Sequence, residues 1–211
     1  MSHRRTAILV GLLFISSTIT FAVGSSLVQT YFSDAEPSSG TLLGGVFMEW
    51  YTALAVIAIG IALLPVLKPH GKRLSESYLV LRTTEGTAIL VVGACFLASR
   101  RQFGDYHLLV YALSGTGGLI LSHLLLRSGL IARWLSLLGV VGYAALLAGV
   151  LTDALGAADL DTGAGTAFLV PGGVFELVFP LLLIFRGWRS VEPGAGTKDR
   201  GPGATSDGPH R

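Results

Sequence analysis

Six stretches of apolar residues alternate with short polar segments along the chain, and each stretch is long enough to cross a bilayer as a helix. A transmembrane helix needs about 20 mostly apolar residues at a rise of about 1.5 Å each. Residues 7–29, 42–67, 78–98, 106–126, 132–151 and 167–185 meet that length. The breaks between them are chemically marked. His3, Arg4 and Arg5 precede the first span, and a polar loop with Asp34, Glu36 and Pro37 follows it. Lys68, Pro69 and His70 close the second, because proline and charge end an apolar helical pattern. Arg100, Arg101, Gln102 and Asp105 separate the third from the fourth, and Arg127, Ser128 and Gly129 the fourth from the fifth. Asp153, Asp159 and Asp161 follow the fifth, and Arg186, Gly187, Trp188 and Arg189 end the sixth. The first run exceeds the 7–15 residues of a typical cleavable signal core, so it is expected to stay as a span. Tyr78, Tyr106, Arg133 and Trp134 suit the membrane interface, as does His107 beside Tyr106. Beyond Val191, glycine, proline and charge leave too little apolar surface to bury, so residues 190–211 are expected to be a disordered tail. The pattern therefore predicts an all-α fold, a six-helix membrane bundle over residues 1–189.

Composition sharpens this reading. The chain has 211 residues, of which 13% are charged, against about a quarter in soluble domains, and its mean hydropathy is +0.65. The net charge of +2 is dispersed between apolar runs, which excludes a nucleic-acid-binding block. The single cysteine, Cys95, lies within an apolar run, so neither an internal disulfide nor a cysteine metal site can form. Basic residues set the orientation. Of 15 lysines and arginines, Arg82 lies within a span, and placing the amino terminus in the cytoplasm leaves only Arg100 and Arg101 outside. A multi-pass protein of the cell membrane with both termini cytoplasmic is expected.

With lipid outside, helices associate through small residues that let backbones approach. Gly86 and Gly93, Gly142 and Gly149, and Ala53 and Gly60 on the face that starts at Glu49 are the expected seams. Gly115, Gly117 and Gly118 lack the strand-turn-helix setting and lysine of a phosphate loop and read as packing residues. Pro65, Pro171 and Pro180 are expected to bend their helices.

Several segments together resemble the domain-of-unknown-function family 4386 of predicted bacterial membrane proteins. They are Ile59-Gly60-Ile61-Ala62-Leu63-Leu64-Pro65-Val66-Leu67-Lys68, Arg82-Thr83-Thr84-Glu85, Arg133-Trp134-Leu135-Ser136-Leu137-Leu138-Gly139, Phe175-Glu176-Leu177 and Arg186-Gly187-Trp188. The resemblance covers about Ala7 to Trp188, and Ala132 stands where the family tends to carry proline. It implies six helices and a plasma-membrane location, and brings no reaction, ligand or cofactor with it.

Candidate chemistry is confined to polar groups within the spans. A charge at the centre of a span costs about 2.5–3.5 kcal/mol on insertion scales, so such groups are rare and usually paired or functional. Glu49, Arg82, Glu85 and Glu176 qualify, and His123 falls at the depth of Arg82. Arg82 and Glu85, three apart on one helix face, can pair. Three acids and one base cannot all be neutralised by pairing, so at least one glutamate is expected to be neutral, Glu176 first because it lies near the midplane. Arg82 is expected to be the hub of this set, approached from another span. The set supports binding or proton-coupled transport of a small molecule through the glutamates. The alternative is a non-catalytic structural or regulatory subunit held together by its charges. An intramembrane enzyme has less support, since one histidine with scattered glutamates lacks a spacing such as His-Glu-x-x-His. No catalytic residue, metal ligand or cofactor is assigned. Membrane lipids are the expected surroundings, and a homo-oligomer or a membrane-protein partner stays open.

Overall fold

The computed structural model describes residues 3–36, 38–103 and 106–189; the expected tail lies outside the described residues. It is all-α, with α1 (His3–Ser33), α2 (Ser39–Leu67), α3 (Lys72–Ser99), α4 (Tyr106–Ser128), α5 (Arg133–Ala154) and α6 (Val170–Phe185). Short 3-10 turns at Lys68–His70 and Gly163–Leu169 follow α2 and lead into α6. Six helical segments among the described residues are long and apolar enough to span a membrane.

Most of the helices run past the apolar stretches that announced them. Hydropathy marks the length in contact with lipid, whereas a helix continues into polar flanks until something stops it. At α3 the stop is Arg100, in the left-handed region at φ 51°, the usual conformation just past a helix end. The sixth span departs from expectation. Residues 163–169 form a 3-10 turn, and Pro171 sits in the first turn of α6, where its missing N–H would have had no partner. Only Pro65 and Pro180 stand inside helices.

Each helix packs on its neighbours in the chain, and α6 returns to α1, so the six form a ring. Small residues set the spacing where they were expected. A Cβ on Gly86 would lie 2.7 Å from the Ala53 carbonyl oxygen, and one on Gly142 would lie 2.7 Å from Gly172 Cα. Gly93 faces Trp50, Gly60 faces Arg82, and Gly118 lies under the Tyr143 ring. At the seam between α1 and α2, Gly24 and Gly45 meet carbonyl to backbone, so that a Cβ on either would be 2.9 Å from the other's oxygen. Outside, the bundle exposes Leu12, Ile19, Leu54, Ile61, Val80, Val141 and Phe185. Such a surface suits lipid, because the backbone polar groups along a helix, apart from its ends, are satisfied internally.

Two arginines tie the ends. Arg4 Nη2 donates to the carbonyls of Ile184 at 2.7 Å and Phe185 at 3.2 Å, placing a cation at the negative end of the α6 dipole. At the opposite end Arg100 Nη1 donates to Tyr31 Oη at 3.2 Å and Ser39 Oγ at 2.9 Å, which joins α3 to α1 and α2. Toward the end that carries both termini the interior is filled by rings. Phe175 stacks on Phe179 at 5.1 Å, and Phe14 meets Phe179 edge-on at 5.4 Å. Above this plug the ring is hollow.

Candidate functional site

All six helices contribute to a cavity of about 370 Å³ that extends from the middle of the bundle toward the end away from the termini. Its walls are largely aliphatic and aromatic, including Phe14, Phe21, Val56, Ile59, Ile89 and Leu146. Polar groups converge on it from different helices: Arg82 and Glu85 from α3, Glu176 from α6, Tyr143 from α5, Thr18 from α1, and Tyr111 and Ser114 from α4. An apolar enclosure with a few convergent polar groups is the usual form of a small-molecule site.

Arg82 and Glu85 form the ion pair that their spacing predicts. Nη1 donates to Glu85 Oε2 at 2.7 Å, with both side chains nearly fully buried. Nε donates to Tyr78 Oη at 3.3 Å. Both of these partners lie on α3, one helical turn to either side of Arg82. From other helices, Gly117 of α4 lies beside its guanidinium and Gly60 of α2 beside the start of its side chain. Tyr78, expected at the interface, is instead fully buried beside Arg82.

Glu176 faces the cavity from α6 and is half-buried. Tyr143 donates to its Oε1 at 3.0 Å, and Thr18 to its Oε2 at 3.5 Å. Among the described residues no lysine, arginine or histidine comes within salt-bridge distance of it.

The other two candidates lie elsewhere. Glu49 is fully buried outside the cavity lining; Tyr106 donates to its Oε2 at 3.2 Å, and its Oε1 has no hydrogen-bond partner. His123 is exposed on the outer face of α4, so it does not join a buried polar cluster. Depth along a helix does not determine which way a side chain faces, and His123 shares the depth of Arg82 but not its direction.

Sequence reasoning passed over the hydroxyls. Tyr143 is fully buried in the middle of α5, and a tyrosine so far from either interface was the available signal, since tyrosine in a span usually sits at the headgroup level. The loop between α5 and α6 bonds to a residue of the cavity wall without lining the cavity at Asp161. His107 Nδ1 lies 3.2 Å from Asp161 Oδ2, and Tyr111, a lining residue, donates to Asp161 Oδ1 at 3.0 Å. The bond with His107 holds the Asp161 carboxyl below the usual aspartate range, against the effect of its partial burial. Among the described residues no group of three or more histidine, cysteine, aspartate or glutamate side chains is placed to hold a metal ion.

A family model described as "Domain of unknown function (DUF4386)" matches residues 7–103 and 97–187. No match was found among curated proteins or among solved structures.

Proposed function

We propose that this chain, which belongs to the DUF4386 family, binds a small, mostly apolar molecule in the central cavity, with its polar end toward Arg82, Glu85 and Glu176. The carrying observation is the cavity itself: about 370 Å³ of space inside a six-helix ring, with ionisable groups set in apolar walls. A bundle whose charges served only to hold it together would close around them. Buried charge in a membrane span usually marks a substrate or ion path, so carriage of the bound molecule across the membrane, coupled to a proton on a glutamate, is the role that fits.

One observation favours a purely structural role, namely that Arg82 and Glu85 neutralise each other on one helix. That role leaves Glu176 unexplained, since it faces the cavity and, among the described residues, has no cation within salt-bridge distance.

The same reading places the protein in the cell membrane with both termini cytoplasmic, on the strength of the lysine and arginine bias. Cysteine labelling in a Cys95→Ala background tests this. Ala157→Cys should react with an impermeant reagent outside intact cells and Glu76→Cys should not; the reverse would overturn the orientation.

Binding is tested in the same background with Ser114→Cys, which points a thiol at the cavity. It should react with a small water-soluble methanethiosulfonate, and 4-phenylbutan-1-ol should slow that reaction without slowing it at exposed Lys72→Cys. A Ser114→Cys thiol that reacts only after unfolding would show a dry, closed core and overturn the proposal.

A further inference from the structure

The balance of charge inside the cavity points to the kind of head group it takes. Among the described residues Arg82 is the only cation in the lining, and its charge is spent on Glu85 at 2.7 Å. An anionic ligand would have to compete with a bonded carboxylate on the same helix. Glu176 is different: its partners are two hydroxyls, from Tyr143 and Thr18, which donate to a carboxylate without neutralising it. The cavity is thus one positive charge short when both of its glutamates are ionised. An uncompensated charge in apolar surroundings is costly, and either a proton or a cationic ligand removes that cost.

Tyr143 bonds Glu176 directly, and Phe21 and Tyr111 add further aromatic rings to the walls of the same cavity. Ring faces attract an ammonium group electrostatically, more strongly when it is desolvated. We infer that the ligand is a small lipophilic amine, held as its ammonium by the Glu176 carboxylate and exchanged for a proton there. This rests on the binding function proposed above and adds the class of ligand and its coupling. The exchange balances simply, because the carboxylate carries either the proton or the ammonium and the charge in the cavity is the same in both states.

The groups that share the cavity with Glu176, or lie just behind its lining, make it the one that switches. From α3 they are Arg82, Glu85 and, behind them, Tyr78; from α4 Tyr111; from α5 Tyr143. On α1 and α2 the polar lining consists of hydroxyls such as Thr18 and Thr52. Arginine and tyrosine ordinarily titrate well above neutral pH, and Glu85 is closed off by Arg82.

The test compares three probes of similar shape in the Ser114→Cys protection assay: 4-phenylbutylamine, 4-phenylbutan-1-ol and 4-phenylbutyrate. The amine should protect at a concentration at least about tenfold lower than the alcohol, and the butyrate should not protect. Glu176→Gln should bring the amine to the level of the alcohol, while Glu176→Asp, which keeps the charge, should retain the preference. Lowering the pH should weaken the amine in the parent protein and leave it unchanged in the Glu176→Gln variant. Equal protection by amine and alcohol in the parent, or a preference that survives Glu176→Gln, overturns the ammonium assignment while leaving the cavity as a binding site. Protection led by the butyrate would transfer recognition to Arg82 and overturn it equally. If no probe protects, the binding function itself falls, and this inference with it.

Discussion

Glu49 and Glu176 are the same side chain, both set within helices that have membrane length, and the bundle treats them differently. Glu49 is sealed at a helix seam, where one oxygen receives the Tyr106 hydroxyl and the other has no partner. Glu176 opens onto a cavity and has a hydroxyl donor at each oxygen. A sealed carboxyl can only be accommodated once, at folding, whereas a carboxyl beside a cavity can change partners in the folded state. Under the proposed function the second is the binding carboxyl and the first a structural one, although the sequence presents them alike.

The largest effect is expected at the third buried carboxyl, Glu85, which unlike the other two is paired with a cation. Arg82→Met strands Glu85, which is only 3% exposed, and losing one member of a buried pair costs about 3–5 kcal/mol. The expected outcome is a large fall in melting temperature in detergent, and a variant as stable as the parent would mean that the pair contributes nothing to the fold. Next in size is the sealed side. Tyr106→Phe removes the hydrogen bond to Glu49 and leaves that carboxyl without one, at a cost of about 1–3 kcal/mol. A denaturation midpoint unchanged by this substitution would show that Glu49 finds another partner.

Glu176→Gln should change stability by less than about 1 kcal/mol. Its amide oxygen can still accept from Tyr143 or Thr18, and substitutions away from sealed packing are mild. The comparison is sharpened if the melting temperature holds while amine protection is lost, and it breaks if this variant unfolds more readily than Tyr106→Phe. The smallest effect belongs to the Asp161 carboxyl, beside the cavity residue Tyr111. The carboxyl of Asp161 is held below its usual range by His107, so its contribution is present above the ordinary aspartate value and lost as pH falls through the lower, folded value. The melting temperatures of the parent and of Asp161→Asn should differ near neutral pH and converge below about pH 4. A difference that persists or widens in acid would contradict that linkage.

The number and order of the helices were legible because lipid demands long apolar runs, and the Arg82 and Glu85 pair was legible because three residues make almost one helical turn. Facing was not legible. In a soluble bundle the outward side is polar and the inward side apolar, so periodicity separates them. Here Ile61 and Val80 face outward and Leu63 and Ile89 inward, and the two sides read alike. That is why His123 could be placed by depth beside Arg82 and yet lie exposed on the outer face. The same ambiguity hid the burial of Tyr78 and the role of Tyr143 as a donor to Glu176, because an aromatic with a polar tip satisfies either setting. Gly142 and Gly86 escaped it, since a residue that must admit a neighbouring backbone shows itself by its size.

Because neighbours around the ring are also neighbours along the chain, five of its six joints can form as soon as each successive helix enters the bilayer. Such local wiring keeps the entropy of loop closure low and favours rapid assembly. The sixth joint is of another kind. It must wait for α6, and it brings together residues at opposite ends of the described chain, Arg4 meeting the carbonyls of Ile184 and Phe185. Until then the hollow is a trough open along one side to lipid, and the arrival of α6 both shuts that side and delivers Glu176. Closure of the circle and completion of the proposed binding site are therefore one event. A circular permutant that joins the two ends by a short linker and opens the loop between α3 and α4 would turn the longest-range joint into a local one.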